Sequence, residues 1–247
     1  MVGCDLPAAR KVCGFPSHST NLGCSQCFCS FSRGFGNDDY SNFEQDSWEL
    51  RTNERHRADV KKLEQCKTKT ARAAKEKELG CRFSMLLELP YFDPVRMLPI
   101  DPMHNLFLGT AKHITKSVLI TRGVLSASHL DIIHQRLKCF QLPVNIGRIP
   151  SRIESGATFT AQQWLNWTIY FSIYCLYNLL SVDEIEFWRH FVLACRIPCK
   201  KELTQDDITV ADTLLLRFCK RVRRIYGSST ITPNMHLHAH LAMSVRE

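Results

Sequence analysis

The chain has 247 residues, 45% hydrophobic and 23% charged, with a formal net charge of +8 and a pI near 8.9. That balance excludes a disordered chain, a collagen and a coiled-coil rod, and the length suffices for one large domain or two small ones. A positive surplus favours polyanionic partners, nucleic acid first. Twelve cysteines are many for this size. The first residues, MVGCDLPAARKV, lack the apolar stretch of a secretory signal. The cysteines therefore read as reduced thiols of an intracellular protein, a subset of them metal ligands.

In chain order, composition suggests three segments: 1–36, 37–100 and 101–247. Residues up to 36 are rich in Cys, Gly and Ser, with VGC as the end of a strand and LPAARKV as a short helix. From Asn37 to Leu50 the chain turns acidic and aromatic, as an ordered loop or docking segment would. Residues 51–80 hold ten Lys/Arg against five Asp/Glu and read as one charged helix, a solvated one or one that contacts phosphates. Phe83–Leu89 reads as a strand or short buried segment, and Pro90, Pro94, Pro99 and Pro102 force an extended path after it. Asp101 before Pro102 suits a helix start, with the helix running to about Ile120.

The remainder reads as helices over 127–139, 160–180, 183–197, 205–226 and 233–246. Ser126 or Ser128, Thr160, Ser181 and Thr204 are the candidate N-caps, and Gly227 is the stop of the fourth helix. Val210, Leu214, Phe218 and Val222 give that fourth helix an apolar face, opposite Arg217, Lys220, Arg221 and Arg224. The apolar run Leu165–Leu180 is too short and too polar for a membrane span and reads as a buried helix.

Cys24-Ser25-Gln26-Cys27 is a CxxC, with Cys29 two residues on. Two thiolates at this spacing chelate one Zn²⁺, but they supply half of a tetrahedral site. A redox role lacks the surrounding βαβ pattern. His236 and His240 lie one turn apart on a helix and share a face, while His238 points elsewhere. Cys24, Cys27, His236 and His240 would make a closed Cys₂His₂ site. The alternative is a free CxxC and a His-rich surface helix. Asp5 and Asp101, with His104 three residues after Asp101, are the carboxylates placed where Mg²⁺-dependent phosphoryl transfer uses them. Taken locally, a solvated turn explains Asp5 and a helix cap explains Asp101 completely, and these are the favoured readings of the two residues by themselves.

Together, CDLPAARKVCGF, LGCSQC, WELRTNERHR, LPYFDPVRMLPIDPMHNLFLGTAKH and TPNMHLHAHL resemble, in order, the transposases of the CACTA (En/Spm) superfamily. The resemblance implies a mainly α fold: a helical insertion plus the remnant edge of an RNase H-like α/β core. It implies cut-and-paste transposition, in which three acids hold Mg²⁺ or Mn²⁺ to cleave and join DNA. It implies a nuclear protein that binds transposon ends as a multimer, with no membrane. The antigen-receptor recombinase is similar in layout, with an acid preceding a zinc-binding CxxC and a histidine pair completing the site. On that basis Asp5 matches the second catalytic acid, Cys24, Cys27, His236 and His240 match the zinc ligands, and Asp101 and His104 match a DxxH motif. Another registry makes Asp5 the first acid and Asp101 the second. Under either, a catalytic acid is missing, and Glu247 lacks the aromatic context of the last one. The chain is therefore expected to be an inactive fragment. The alternatives are a repurposed zinc-stabilised module that binds DNA or protein, and a plain interaction protein without metal.

Overall fold

The computed structural model describes residues 2, 5–31, 33–34, 37–141, 146 and 152–246. It divides into two compact units. The first joins Met1–Asp101 to Ile231–Glu247, and the second is the continuous stretch Pro102–Thr230. The last helix thus belongs with the N-terminal hundred residues.

Unit 1 begins with α1 (Leu6–Val12), whose N-cap Asp5 accepts from the Ala8 amide at 2.9 Å. Val2 and Asp5 are in no strand, and Gly3 and Cys4, where the expected strand would continue, lie outside the described residues. Strand pairing among the described residues amounts to the two-residue antiparallel β1 (Arg33–Gly34) and β2 (Asn37–Asp38), plus a single bridge between Cys27 and Leu50. The chain is mainly helical, and no edge of an RNase H-like sheet is found among the described residues.

The single charged helix expected over 51–80 is two helices, α2 (Asn53–Glu64) and α3 (Lys69–Leu79). The break has a local cause. Thr68 turns its hydroxyl onto the Ala71 amide at 3.1 Å and starts a new helix, as Thr52 does for α2 at Arg55. Helix α2 buries His56, Asp59, Val60 and Leu63 along one face, whereas α3 buries none of its residues. Isolated helices this short are marginal. Helix α3 is held by its cap, by Arg72–Glu76 and Lys75–Glu78 pairs, and by Gly80 in the left-handed region at φ +63°.

Three of the Arg57 guanidinium's bonds go to the carbonyls of Leu87 (2.6 Å), Leu89 (2.9 Å) and Phe92 (2.6 Å), pinning the Pro-rich connector to α2. In that connector Met85–Glu88 is a 3₁₀ turn capped by Ser84, rather than a strand. Ala9, Cys13, Phe15, Val60, Leu63, Cys81, Phe92 and Leu98 form the apolar core between α1, α2 and the connector.

Unit 2 opens at Pro102 with a helical run over Met103–Ala111 and His113–Ile120, in which bonds span five residues instead of four. The Lys112 amide reaches Phe107 O, and the Thr121 amide reaches Lys116 O. After α4 (Ala127–Lys138), the expected helix over 160–180 is α5 (Ala161–Asn166), a wide turn at Trp167–Phe171, and α6 (Ser172–Leu176). Two hydroxyls account for the widening. Thr168 Oγ1 donates to Trp164 O at 2.7 Å and Ser172 Oγ to Thr168 O at 2.8 Å, loosening the i→i−4 ladder. Arg136 closes the end of α6 by donating to the carbonyls of Tyr174, Cys175 and Tyr177.

Helices α7 (Val182–Arg196) and α8 (Gln205–Tyr226) start in capping boxes at Ser181 and Thr204 and pack on each other. Gly227, at φ +84°, ends α8. Leu215, Phe218, Cys219 and Val222 form the buried face of α8, while Val210 is exposed. Of the basic face expected there, Arg221 pairs with Asp183 and Glu186, and Arg224 with Asp183. The core of unit 2 is aromatic: Trp164, Trp167, Phe171, Phe187, Trp188, Phe191 and Phe218 are wholly buried. No helix among the described residues is long and apolar enough to cross a membrane.

Candidate metal centre

Helix α9 (Pro233–Arg246) returns to unit 1 and carries His236, His238 and His240. The i,i+4 spacing brings His236 and His240 to one face, with ring centroids 5.3 Å apart. Opposite them lies the turn Cys24–Cys29. The ligand atoms of Cys24, Cys27, His236 and His240 all fall within 4.8 Å of one another, and all four residues are buried. Cys27 Sγ is 3.5 Å from His236 Nε2. These four are the group expected from the spacing, and His238 stands outside it, buried elsewhere.

The turn itself prepares the sulfurs for negative charge. The Gln26 amide donates to Cys24 Sγ at 3.3 Å and the Cys29 amide to Cys27 Sγ at 3.4 Å. Burial opposes ionisation of Cys24, but the Cys27 thiol and the His240 and His236 rings outweigh it and hold Cys24 well below the ordinary thiol range. Cys27, holding its proton toward Cys24 and Cys29 and buried besides, is pushed the opposite way. A cation bound at this turn would serve both sulfurs.

The residues fit a metal. His240 Nδ1 and Nε2 and His236 Nδ1 are buried without a hydrogen-bond partner, a costly arrangement for imidazoles unless a ring nitrogen binds an ion. Two thiolates and two imidazoles in a closed, buried set match a structural tetrahedral site. The group could hold such an ion.

Sequence reasoning missed the frame around the site. Arg51, 5% exposed, donates Nε to Cys24 O (2.9 Å) and Cys27 O (3.2 Å) and Nη2 to Leu22 O (3.1 Å), and its guanidinium lies 4.2 Å from the Phe28 ring. Backbone bonds from Phe28 to Glu49 and from Arg51 to Gln26 clamp the turn further. Trp48 lies against His236 (4.9 Å) and His240 (5.3 Å), and Phe31 meets His236 edge-on. Gln45 Nε2 donates to Ala239 O at 2.8 Å. The aromatic stretch after Asn37 was the available signal for this shell. Nothing local in the sequence marks Arg51.

Asp5 and His104 are exposed, and Asp101 is half-buried at the residue before the helical run. Among the described residues, Cys24, Cys27, His236 and His240 form the one group of three or more Cys, His, Asp or Glu placed to share an ion, so Asp5, Asp101 and His104 assemble in no such group. Of the ten basic residues over 51–80, Arg51 and Arg57 are spent on backbone carbonyls, and Arg55, Lys62, Arg72 and Lys75 are in ion pairs. Lys61, Lys67, Lys69 and Lys77 have no ion pair among the described residues. No family model, curated protein or solved structure matches the chain.

Proposed function

We propose that this chain is the zinc-stapled portion of a CACTA-type transposase and acts as a DNA-binding piece that does not cut DNA by itself. The observation that carries the reading is the convergence of Cys24, Cys27, His236 and His240, the residue types and order the resemblance implies. The ion is Zn²⁺, which prefers four such donors and here leaves no open position for chemistry. Its role is structural: it joins the Cys turn to α9. The DNA contact is electrostatic, through Lys61, Lys67, Lys69 and Lys77 of α2, α3 and the linker between them. Four phosphate contacts give a slope of log K on log salt of roughly −3 to −4.

In the intact family, Mg²⁺ or Mn²⁺ held by three acids supports strand cleavage and transfer in a nuclear multimer. Asp5 and Asp101, with His104, are the residues this reading would place there. The RNase H-like strand that Asp5 would end falls at Gly3 and Cys4, outside the described residues. A second reading, a repurposed zinc-stabilised module that binds DNA or protein without catalysis, shares the metal site.

The test is metal content and DNA binding on one preparation. One zinc per chain, lost in Cys27→Ser, with salt-sensitive duplex binding that weakens when the four lysines become Gln, is the expected result. A metal-free folded chain overturns the reading, and Mg²⁺- or Mn²⁺-dependent nicking abolished by Asp5→Ala overturns its non-cutting part.

A further inference from the structure

A second site lies within unit 1, on the side of α1. Helix α1 buries Ala9 and Arg10. Arg10 is 4% exposed; its Nε donates to Pro16 O at 3.2 Å, and its Nη2 is buried with no partner. No carboxylate pairs with it among the described residues. The ionisable groups that act on it are the Cys24 sulfur, whose negative charge attracts it, Tyr40, and a second cation, Arg51. Burial lowers the guanidinium to about 10, which leaves it charged at neutral pH. A buried guanidinium with an unpartnered N–H group and no paired carboxylate is stabilised by an oxyanion that comes to it.

Arg10 lines a half-open cavity of about 260 Å³. Lys11, His18 and Arg82 are also in its wall, and no Asp or Glu is. Leu6 and Phe15 supply an apolar side. Arg82 is brought there by Gly14, which sits at φ +80°. The Arg82 amide donates to Gly14 O at 2.8 Å, and a Cβ on Gly14 would stand 2.6 Å from Arg82 O. Of the acids around the cavity, Asp5 caps α1 beside Leu6, Glu76 makes a long 3.5 Å pair with Arg82, and Asp38 acts on His18.

We propose that this cavity binds the phosphate of an organic phosphate, with Arg10 as the buried anchor, Lys11, His18 and Arg82 as the rim, and the apolar side receiving the rest of the molecule. A guanidinium fork suits oxyanions, and the cavity exceeds the size of a bare tetrahedral ion. The inference does not rest on the transposase reading, since zinc loading and cleavage test that reading and leave this one untouched. The phosphate could belong to a free monoester or to a nucleic-acid diester, and the experiment separates them.

The zinc-loaded full chain is titrated by calorimetry with inorganic phosphate, adenosine monophosphate and a dinucleotide lacking terminal phosphate, against chloride at equal ionic strength. Saturable binding of the monophosphate, weakened tenfold or more by Lys11→Ala and by Arg82→Ala but unchanged by Lys201→Ala, is expected. The same pattern with the dinucleotide also supports the site and assigns it to a diester. Arg10→Gln should lose binding altogether; the two exposed variants keep the test decisive if Arg10→Gln fails to fold. Absence of saturable binding by all three ligands overturns the proposal, as does equal weakening by Lys201→Ala.

Discussion

The two units solve the same problem with different materials. Unit 2 buries tryptophans and phenylalanines against one another, and hydroxyls serve several of its internal polar atoms, as Ser172 Oγ does for Trp188 Nε1 at 2.8 Å, although Trp164 Nε1 is buried without a partner. Unit 1 has a smaller apolar cluster, and it buries His56, Asp59, Arg10, Arg51 and the three histidines of α9. Removing apolar surface from water stabilises without a ligand. Buried imidazoles and guanidinia do so only when each finds its partner. Unit 2 should therefore be indifferent to metal, and unit 1 should depend on it.

Stripping the metal proposed for the Cys turn and α9 is the most severe way to break that contrast. Apparent zinc binding in small metal-folded domains is about 10–16 kcal/mol. Chelation, or His240→Ala, should abolish the fold around the Cys turn and α9. Hydrogen exchange should show protection lost over residues 22–31, 45–51 and 233–241 and kept in α7 and α8; uniform loss or uniform retention would sink the contrast. Next in size is Trp188→Ala, which removes a wholly buried ring from unit 2. It should cost about 3–5 kcal/mol, read by denaturant unfolding, with zinc content unchanged.

Acid sharpens the comparison from the side of unit 1. Burial, and secondarily Arg51, push His56 from 6.5 down to about 4, and both of its ring nitrogens lack partners beside Phe15. Between those values the unfolded chain binds a proton that the folded chain refuses. The contribution is thus full above pH 6.5 and is lost as pH falls toward 4, by about 3 kcal/mol. His56→Leu should flatten this limb relative to the parent, measured by stability at pH 7 and pH 4.5; an unchanged difference would refute the assignment. The smallest effect belongs to Arg224→Ala, an exposed partner of Asp183, at under about 1 kcal/mol in thermal melts.

Much of the helical plan was legible because its signals are local. Thr160, Ser181 and Thr204 each precede a Gln, Glu or Asp at the third helical position, and all three form capping boxes. Gly227 ends α8 for want of a Cβ. The break before Thr68 was hidden because strong helix formers lie on both sides and one hydroxyl decides it. The wide turns at Thr168 and Ser172 depend on which carbonyl a hydroxyl selects, and residue type does not specify that. The metal ligands could be read from spacing, since i,i+3 thiols and i,i+4 histidines constrain their own geometry. Arg51 and Trp48 could not, because their partners are carbonyls and rings distant in sequence.

The tie between Cys27 and His236 spans 209 residues, and the whole of unit 2 lies inside it. During synthesis this imposes an order. At about 5–20 residues per second, the N-terminal hundred residues emerge with a half-built site and wait until α9 follows. Unit 2 is contiguous and complete by Thr230, so it can fold meanwhile. For that interval the thiols of the Cys turn are without their histidines, open to oxidation or to borrowing a ligand from another nascent chain. The arrangement makes ribosome-bound life, rather than the finished molecule, the period of greatest chemical exposure.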